Sequence, residues 1–114
     1  MNIEEIRDYC LNKKGATESF PFDKTTLVFK VREKIFALLS LSKNKVLNLK
    51  CNPEKSLDLR ERYNFVKGGY HMNKKHWNSI YLEGDYTAKQ IQEWVTESYA
   101  LVVRKLRDKE QKKL

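Results

Sequence analysis

The chain has 114 residues, of which 40% are hydrophobic and 33% charged, and its formal net charge is +8 at pH 7. This length supports one domain with a modest core, and the composition argues against an intrinsically disordered chain. The sequence shows neither the pattern of a signal peptide nor an apolar run of ~20 residues, so we expect no membrane span. The two cysteines form no CxxC pair, so we expect a cytoplasmic protein without disulfides.

The positive charge is concentrated in two segments. Residues 43–78 carry a net charge of +6 and residues 104–114 carry +4, whereas residues 1–42 carry +1 and residues 79–103 carry −3. A basic excess of this kind favours nucleic acid first, and then an acidic protein surface or anionic lipid, as the partner. The alternative is a solvated basic surface that binds nothing specific.

The first half of the chain predicts a helix followed by a meander of strands. Asn2 and Glu5 have the spacing of a capping box, and Gly15 is a plausible end for the helix that they begin. Residues 17–22 form a connection. Alternating and β-branched residues then predict three antiparallel strands joined by short polar turns, over residues 25–31, 34–41 and 46–50.

The middle of the chain predicts a short helix and further strands. The sequence Asn52-Pro53-Glu54 is typical of a helix start, because it combines a capping side chain, a proline at the first helical position and an acid near the positive helix end. This helix runs to about Tyr63. Residues 77–82 alternate between apolar and polar positions, as a strand does.

The last predicted helix begins at Thr87, which Gln90 complements in a second capping box. Its apolar residues keep helical spacing as far as Leu106, so it is a principal core element. We therefore predict a two-layer α+β fold. It has an antiparallel β-sheet of about five strands, an N-terminal helix, a short middle helix and a long C-terminal helix. Residues 1–106 make the single domain, and residues 107–114 make a basic, frayed tail.

Residues 68–78 follow neither the period of a strand nor that of a helix. Their sequence, Gly-Gly-Tyr-His-Met-Asn-Lys-Lys-His-Trp-Asn, is rich in cations, aromatic rings and hydrogen-bonding groups. In a functional interpretation, Lys74 and Lys75 neutralise phosphates. The side chains of His71, Asn73, His76 and Asn78 donate hydrogen bonds to phosphate or sugar, and Tyr70 stacks on a base or ribose.

A structural interpretation of the same residues stands beside the functional one. Met72 and Trp77 are then core residues. His71 and Asn78 then satisfy buried backbone groups of an irregular turn.

The sequence argues against a metal site or an active site. His71 and His76 are five residues apart, which is not the i, i+4 spacing of a helical ligand pair, and no Cys, Asp or Glu lies in the run. The chain has no nucleophile elbow, no glycine-rich phosphate loop and no paired-carboxylate motif. Cys10 has the spacing of a small core residue rather than a nucleophile. We therefore expect no enzyme activity, no metal and no cofactor.

The order and spacing of several segments resemble the MmcQ/YjbR family over nearly the whole chain. These segments are Phe20-Pro21-Phe22, Lys34–Leu38, Leu49–Glu54, Leu59-Arg60-Glu61, Gly69–Asn78 and Ser98–Val102. The chain departs from the family pattern at Gly68, where the family usually has proline. The resemblance implies a compact fold similar to the frataxin-like and secretion-chaperone-like two-layer folds, described as a double-wing arrangement. It also implies a DNA-binding role.

We therefore predict a small DNA-binding protein whose contacts are mainly electrostatic. The predicted nucleic-acid-binding residues are Lys43, Lys45, Arg60, Arg62, Lys67, Tyr70, His71, Asn73, Lys74 and Lys75. The alternative is a protein-interaction module that docks an acidic peptide or dimerises through its sheet edge, although we expect a monomer. The DNA-binding hypothesis requires that folding bring the central cations onto one face.

Overall fold

The fold is a six-stranded antiparallel sheet with its helices packed around one core, seen in a computed structural model that describes residues 1–69 and 72–114. In chain order the elements are α1 (Ile3–Leu11), β1 (Ala16–Ser19), β2 (Thr26–Val31), β3 (Lys34–Ser40), β4 (Val46–Lys50), α2 (Pro53–Arg62), β5 (Val66–Gly68), β6 (Trp77–Tyr81), α3 (Ala88–Arg104) and α4 (Asp108–Lys112). The strand order is β1-β2-β3-β4-β6-β5, and each neighbouring pair is antiparallel. The predicted α+β class and its three main helices are confirmed, with six strands instead of about five.

The additional strand at the edge of the sheet is β1, which lies partly in the segment predicted as a connection. Its residues Ala16–Ser19 pair with Val28–Val31 of β2. Hydrogen bonding to β2 holds this segment in an extended conformation, because its short polar sequence has little strand preference of its own. At the other end of the chain, the segment predicted to fray contains α4, and Leu114 packs against the core.

The helix starts follow the predicted capping chemistry. The Glu5 amide donates to Oδ1 of Asn2 at 2.8 Å, and the Asn2 amide donates to the Glu5 side chain at 3.0 Å. Thr87 and Gln90 make the same reciprocal pair at the start of α3. These bonds satisfy amide groups that have no partner inside a helix, so they define where each helix begins.

The two faces of the sheet differ in what covers them. Helices α1 and α3 pack on one face, where the cross-strand partners Leu39, Leu47 and Ile80 join the buried residues of those helices. Alternation places Leu38 and Asn48 on the opposite face. None of the helices in the described part of the chain combines the length and the apolar character needed to cross a bilayer.

A buried hydroxyl joins α3 to the sheet where β3 and β4 separate. Ser98 is fully buried, donates to the carbonyl oxygen of Phe36 at 2.6 Å and accepts from the amide of Lys50 at 2.8 Å. It thereby satisfies two backbone groups that lie beyond the last cross-strand pair, Ala37 with Leu49. The C-terminal half of α3 is fixed over this end of the sheet as a result.

Candidate nucleic-acid interface

The loop between β5 and β6 is held against α2 by the side chain of Arg60. The Arg60 guanidinium donates from Nε to Oδ1 of Asn78 at 2.8 Å and from Nη2 to the hydroxyl of Ser56 at 2.9 Å. Nη2 also donates to the carbonyl oxygen of Lys74, and at 3.4 Å to that of Trp77. A planar guanidinium can make several such bonds at once, so Arg60 is a positioning residue for the loop.

Asn78 is buried, as the structural interpretation of the motif requires, but among the described residues it bonds to α2 and not to backbone groups of the loop. Its side chain lies in the core with only 2% exposure. Oδ1 accepts from the hydroxyl of Ser56 at 2.7 Å as well as from Arg60. A buried amide needs such partners, because an unsatisfied buried polar group is costly.

The shape of the loop comes from local hydrogen bonds and from a close backbone approach. Oδ1 of Asn73 accepts from the Lys75 amide at 2.9 Å, and the Asn73 carbonyl accepts from the Trp77 amide at 3.0 Å. A Cβ atom on Gly69 would lie 2.9 Å from Cβ of Trp77, so the backbone fits here only without a side chain. Asn73 thus organises the turn that presents Lys74 and Lys75.

Lys74 and Lys75 are both exposed, as the motif predicts for them. They line a groove of about 340 Å³ between the loop and α2, together with Pro53, Ser56, Leu57 and Arg60. The Lys74 ammonium also donates to the Gly69 carbonyl at 3.4 Å. Within residues 1–69 and 72–114, neither lysine forms an ion pair with a carboxylate.

The cations of the β3–β4 turn lie at the other end of the strands. Lys50, the last residue of β4, is the cross-strand neighbour of Trp77 beside the loop. Val46, the first residue of β4, adjoins the turn that carries Lys43 and Lys45. Four residue steps of a strand separate the two ends by about 13 Å. Folding therefore divides the central basic block between the two ends of β4, so its cations do not form the single compact group that the DNA-binding hypothesis assumed.

The remaining predicted residues have varied surroundings. The Lys45 ammonium donates to the carbonyls of the turn at 2.6 and 2.7 Å. Arg62 is exposed and forms an ion pair with Asp58 at 3.4 Å. The Lys67 ammonium lies 5.5 Å from the centre of the Tyr81 ring, within range of a cation–π interaction. Tyr70 and His71 lie outside the described residues.

A further group of lysines, which the sequence did not predict as a site, lies at the same end of the sheet as the loop. Burial and the neighbouring Lys105, followed by Lys34, lower the pKa of Lys50. These residues come from the end of β4, the residue after α3 and the start of β3. No spacing in the sequence relates them, because only the packing of α3 on the sheet brings them together.

The fold and the loop together define a small two-layer α+β domain that has Lys74 and Lys75 of the loop at the same end of its sheet as Lys34, Lys50 and Lys105. The YjbR family model matches residues 11–101, so the chain belongs to the YjbR family. It is 34% identical to the uncharacterised protein YjbR of Escherichia coli (strain K12), over all of this chain and 98% of that protein. It is 40% identical to the uncharacterised protein YbdF of Escherichia coli O157:H7, over 83% of this chain and 79% of that one.

A solved structure has the same fold. The crystal structure of Deinococcus radiodurans protein DR2400 matches with a TM-score of 0.92 at 34% sequence identity, covering 98% of this chain and 86% of that one. Similarity at this level defines the family and the fold, while function has to be argued from the site itself.

Proposed function

We propose that this protein binds DNA through the phosphate backbone and is not an enzyme. The observation that carries the proposal is the pair of exposed lysines, Lys74 and Lys75, on a loop that is clamped to α2. A flexible lysine loses side-chain freedom on binding, but the backbone beneath this pair is already ordered by Arg60 and Asn73. The cost of forming two adjacent phosphate contacts is lower for that reason.

The lysines at the same end of the sheet support a broader phosphate-binding surface. Lys50 and Lys105 are close enough for their like charges to disfavour protonation of Lys50. A phosphate bound near them relieves that repulsion. Each neutralised phosphate also releases condensed counterions, which makes the binding free energy depend on salt.

Duplex binding tests the proposal. Fluorescence anisotropy with a labelled duplex should show affinity at about 50 mM salt that falls steeply by about 200 mM. The double variant Lys74→Glu with Lys75→Glu should bind at least about tenfold more weakly at low salt, with a salt slope reduced by about 2. Circular dichroism should show an unchanged fold, because both side chains are exposed.

A charge-matched control separates a specific surface from general attraction. Lys14→Glu with Lys24→Glu makes the same change in net charge at two exposed positions in other parts of the chain. This control should retain most of the affinity. The proposal fails if both double variants lose affinity equally, if the signal is insensitive to salt, or if no binding occurs at low salt.

A protein partner is the second candidate, and one feature favours it. Leu57 is 60% exposed and lines the groove beside Lys74 and Lys75. An apolar side chain flanked by carboxylates, as in an acidic peptide, fits such a surface. Retention of a defined protein after nuclease treatment, lost in Leu57→Ala and in Lys74→Glu, would favour this function over DNA binding.

A further inference from the structure

A second groove lies on the face of the sheet that α1 and α3 leave uncovered. Its volume is about 700 Å³, which is within the range of small-molecule sites. Leu38 and Val46 supply apolar floor on β3 and β4, and Met72 from the β5–β6 loop closes part of its wall. The groove therefore adjoins the loop that carries Lys74 and Lys75.

The described lining of this groove contains many hydrogen-bonding groups. None of the described residues that line it carries a formal charge. Asn48 accepts a hydrogen bond from Ser79, and the hydroxyls of Ser40 and Ser42 lie 2.9 Å apart. Amide and hydroxyl groups above an apolar floor suit a flat, uncharged ligand with donors and acceptors on its edge.

Two aromatic rings border the groove. Phe22 lines it and is 66% exposed, so much of its surface is available for contact. Tyr81 lines it as well, on β6. Aromatic side chains of this kind stack on nucleobases, and stacking tolerates any base because each has a π-face.

Cations lie at the rim of the groove, beside the uncharged lining residues that the structure describes. The Lys67 ammonium lies over the Tyr81 ring at 5.5 Å. Lys43 is exposed between Ser42 and Asn44, both of which line the groove. A single strand of nucleic acid has the complementary arrangement, because its neutral bases can lie in the groove while its anionic phosphates lie at the cationic rim.

We infer that the groove takes unpaired bases of single-stranded nucleic acid. The backbone of that strand would run along the rim from the β3–β4 turn to the Lys74–Lys75 loop. This inference rests on the proposed function and adds a preference for single strands over duplex. It also gives a physical role to the separation of Lys43 from Lys74 and Lys75, because a single nucleic-acid strand lying along β4 meets the cations at both of its ends.

The test compares three labelled ligands of equal length: an oligo(dT) strand, the same strand with abasic sites in place of its bases, and a duplex. The wild-type protein should bind oligo(dT) more tightly than the abasic strand, although their phosphates are equal in number. Phe22→Ala should weaken oligo(dT) binding by about 5-fold to 150-fold, as expected for the loss of one stacked base. Its affinity for the abasic strand should not change.

Phe20→Ala is the matched control, because Phe20 is another exposed phenylalanine, at 48% exposure, but does not line this groove. It should leave the ratio of oligo(dT) to abasic affinity unchanged. Equal binding of oligo(dT) and the abasic strand, or an equal loss in both variants, would overturn the inference. Duplex binding would then still support the proposed function, whereas absence of binding to all three ligands would overturn both.

Discussion

Replacing Arg60 with methionine should release the loop that carries Lys74 and Lys75 from α2. Methionine keeps an unbranched apolar stem, so the change removes the guanidinium and little of the packing. The variant loses two short bonds, to Asn78 at 2.8 Å and to Ser56 at 2.9 Å, and the bond to the Lys74 carbonyl.

The magnitude follows from what each partner retains. The Asn78 oxygen still accepts from the Ser56 hydroxyl at 2.7 Å, so it is not left without a donor. The Lys74 carbonyl belongs to an exposed residue and can be hydrated. A hydrogen bond to a charged group contributes about 1.5–3 kcal/mol, and we therefore expect a loss of about 2–3 kcal/mol in the free energy of unfolding.

Urea denaturation followed by tryptophan fluorescence measures this loss. Arg62→Met is the matched control, because Arg62 lies on the same helix, is 65% exposed and pairs only with Asp58 in the described part of the chain. An exposed i, i+4 pair contributes at most about 0.5 kcal/mol. If Arg60→Met destabilises no more than Arg62→Met, Arg60 does not clamp the loop.

Three further predictions concern the core and its surroundings. Ser98→Ala should lower the free energy of unfolding by about 2–4 kcal/mol, because it leaves the Phe36 carbonyl and the Lys50 amide without their hydrogen-bond partner. In urea denaturation, Thr96→Ala at an exposed position of the same helix should lower it by less than half as much. Burial first, and then the neighbouring Lys105, make the pKa of Lys50 lower in the folded than in the unfolded chain. The free energy of unfolding should therefore rise with pH over the range in which folded Lys50 loses its proton and the unfolded lysine still holds it. Lys50→Met should therefore raise the urea midpoint at pH about 7, and this advantage should shrink towards pH about 10; a constant difference would contradict the assignment. Burial raises the pKa of Cys10 to about 12, so its thiol should resist a thiol reagent in the native protein and react only after unfolding, which mass spectrometry of the labelled chain would show.

The elements that the sequence predicted best are those with strong local chemistry. The capping pair of Thr87 and Gln90 and the periodic apolar residues that follow it define α3 without reference to the rest of the chain. β1 was predicted as a connection because its polar residues are ordered by a neighbouring strand, which a local pattern does not contain.

The candidate site could be predicted only in part, because proximity between distant residues is a property of the fold. The motif predicted Lys74 and Lys75 to be exposed cations, and both are exposed in the structure. The motif did not indicate that the Arg60 guanidinium donates hydrogen bonds to Asn78 and Ser56, because the sequence spacing of these residues does not show that α2 packs against the loop. Lys43 lies at the opposite end of β4 from this loop, because it belongs to the turn before β4, whereas the loop adjoins the last residue of β4.

By itself, the sequence determined the class of fold, the helix starts and the overall basic charge, because these depend on local propensities and on composition. The tertiary structure alone decided which cations share an end of the sheet, which arginine is used internally and which face of the sheet α1 and α3 cover. Those features depend on strand order and on the packing of α3, and both arise from contacts between residues far apart in the chain.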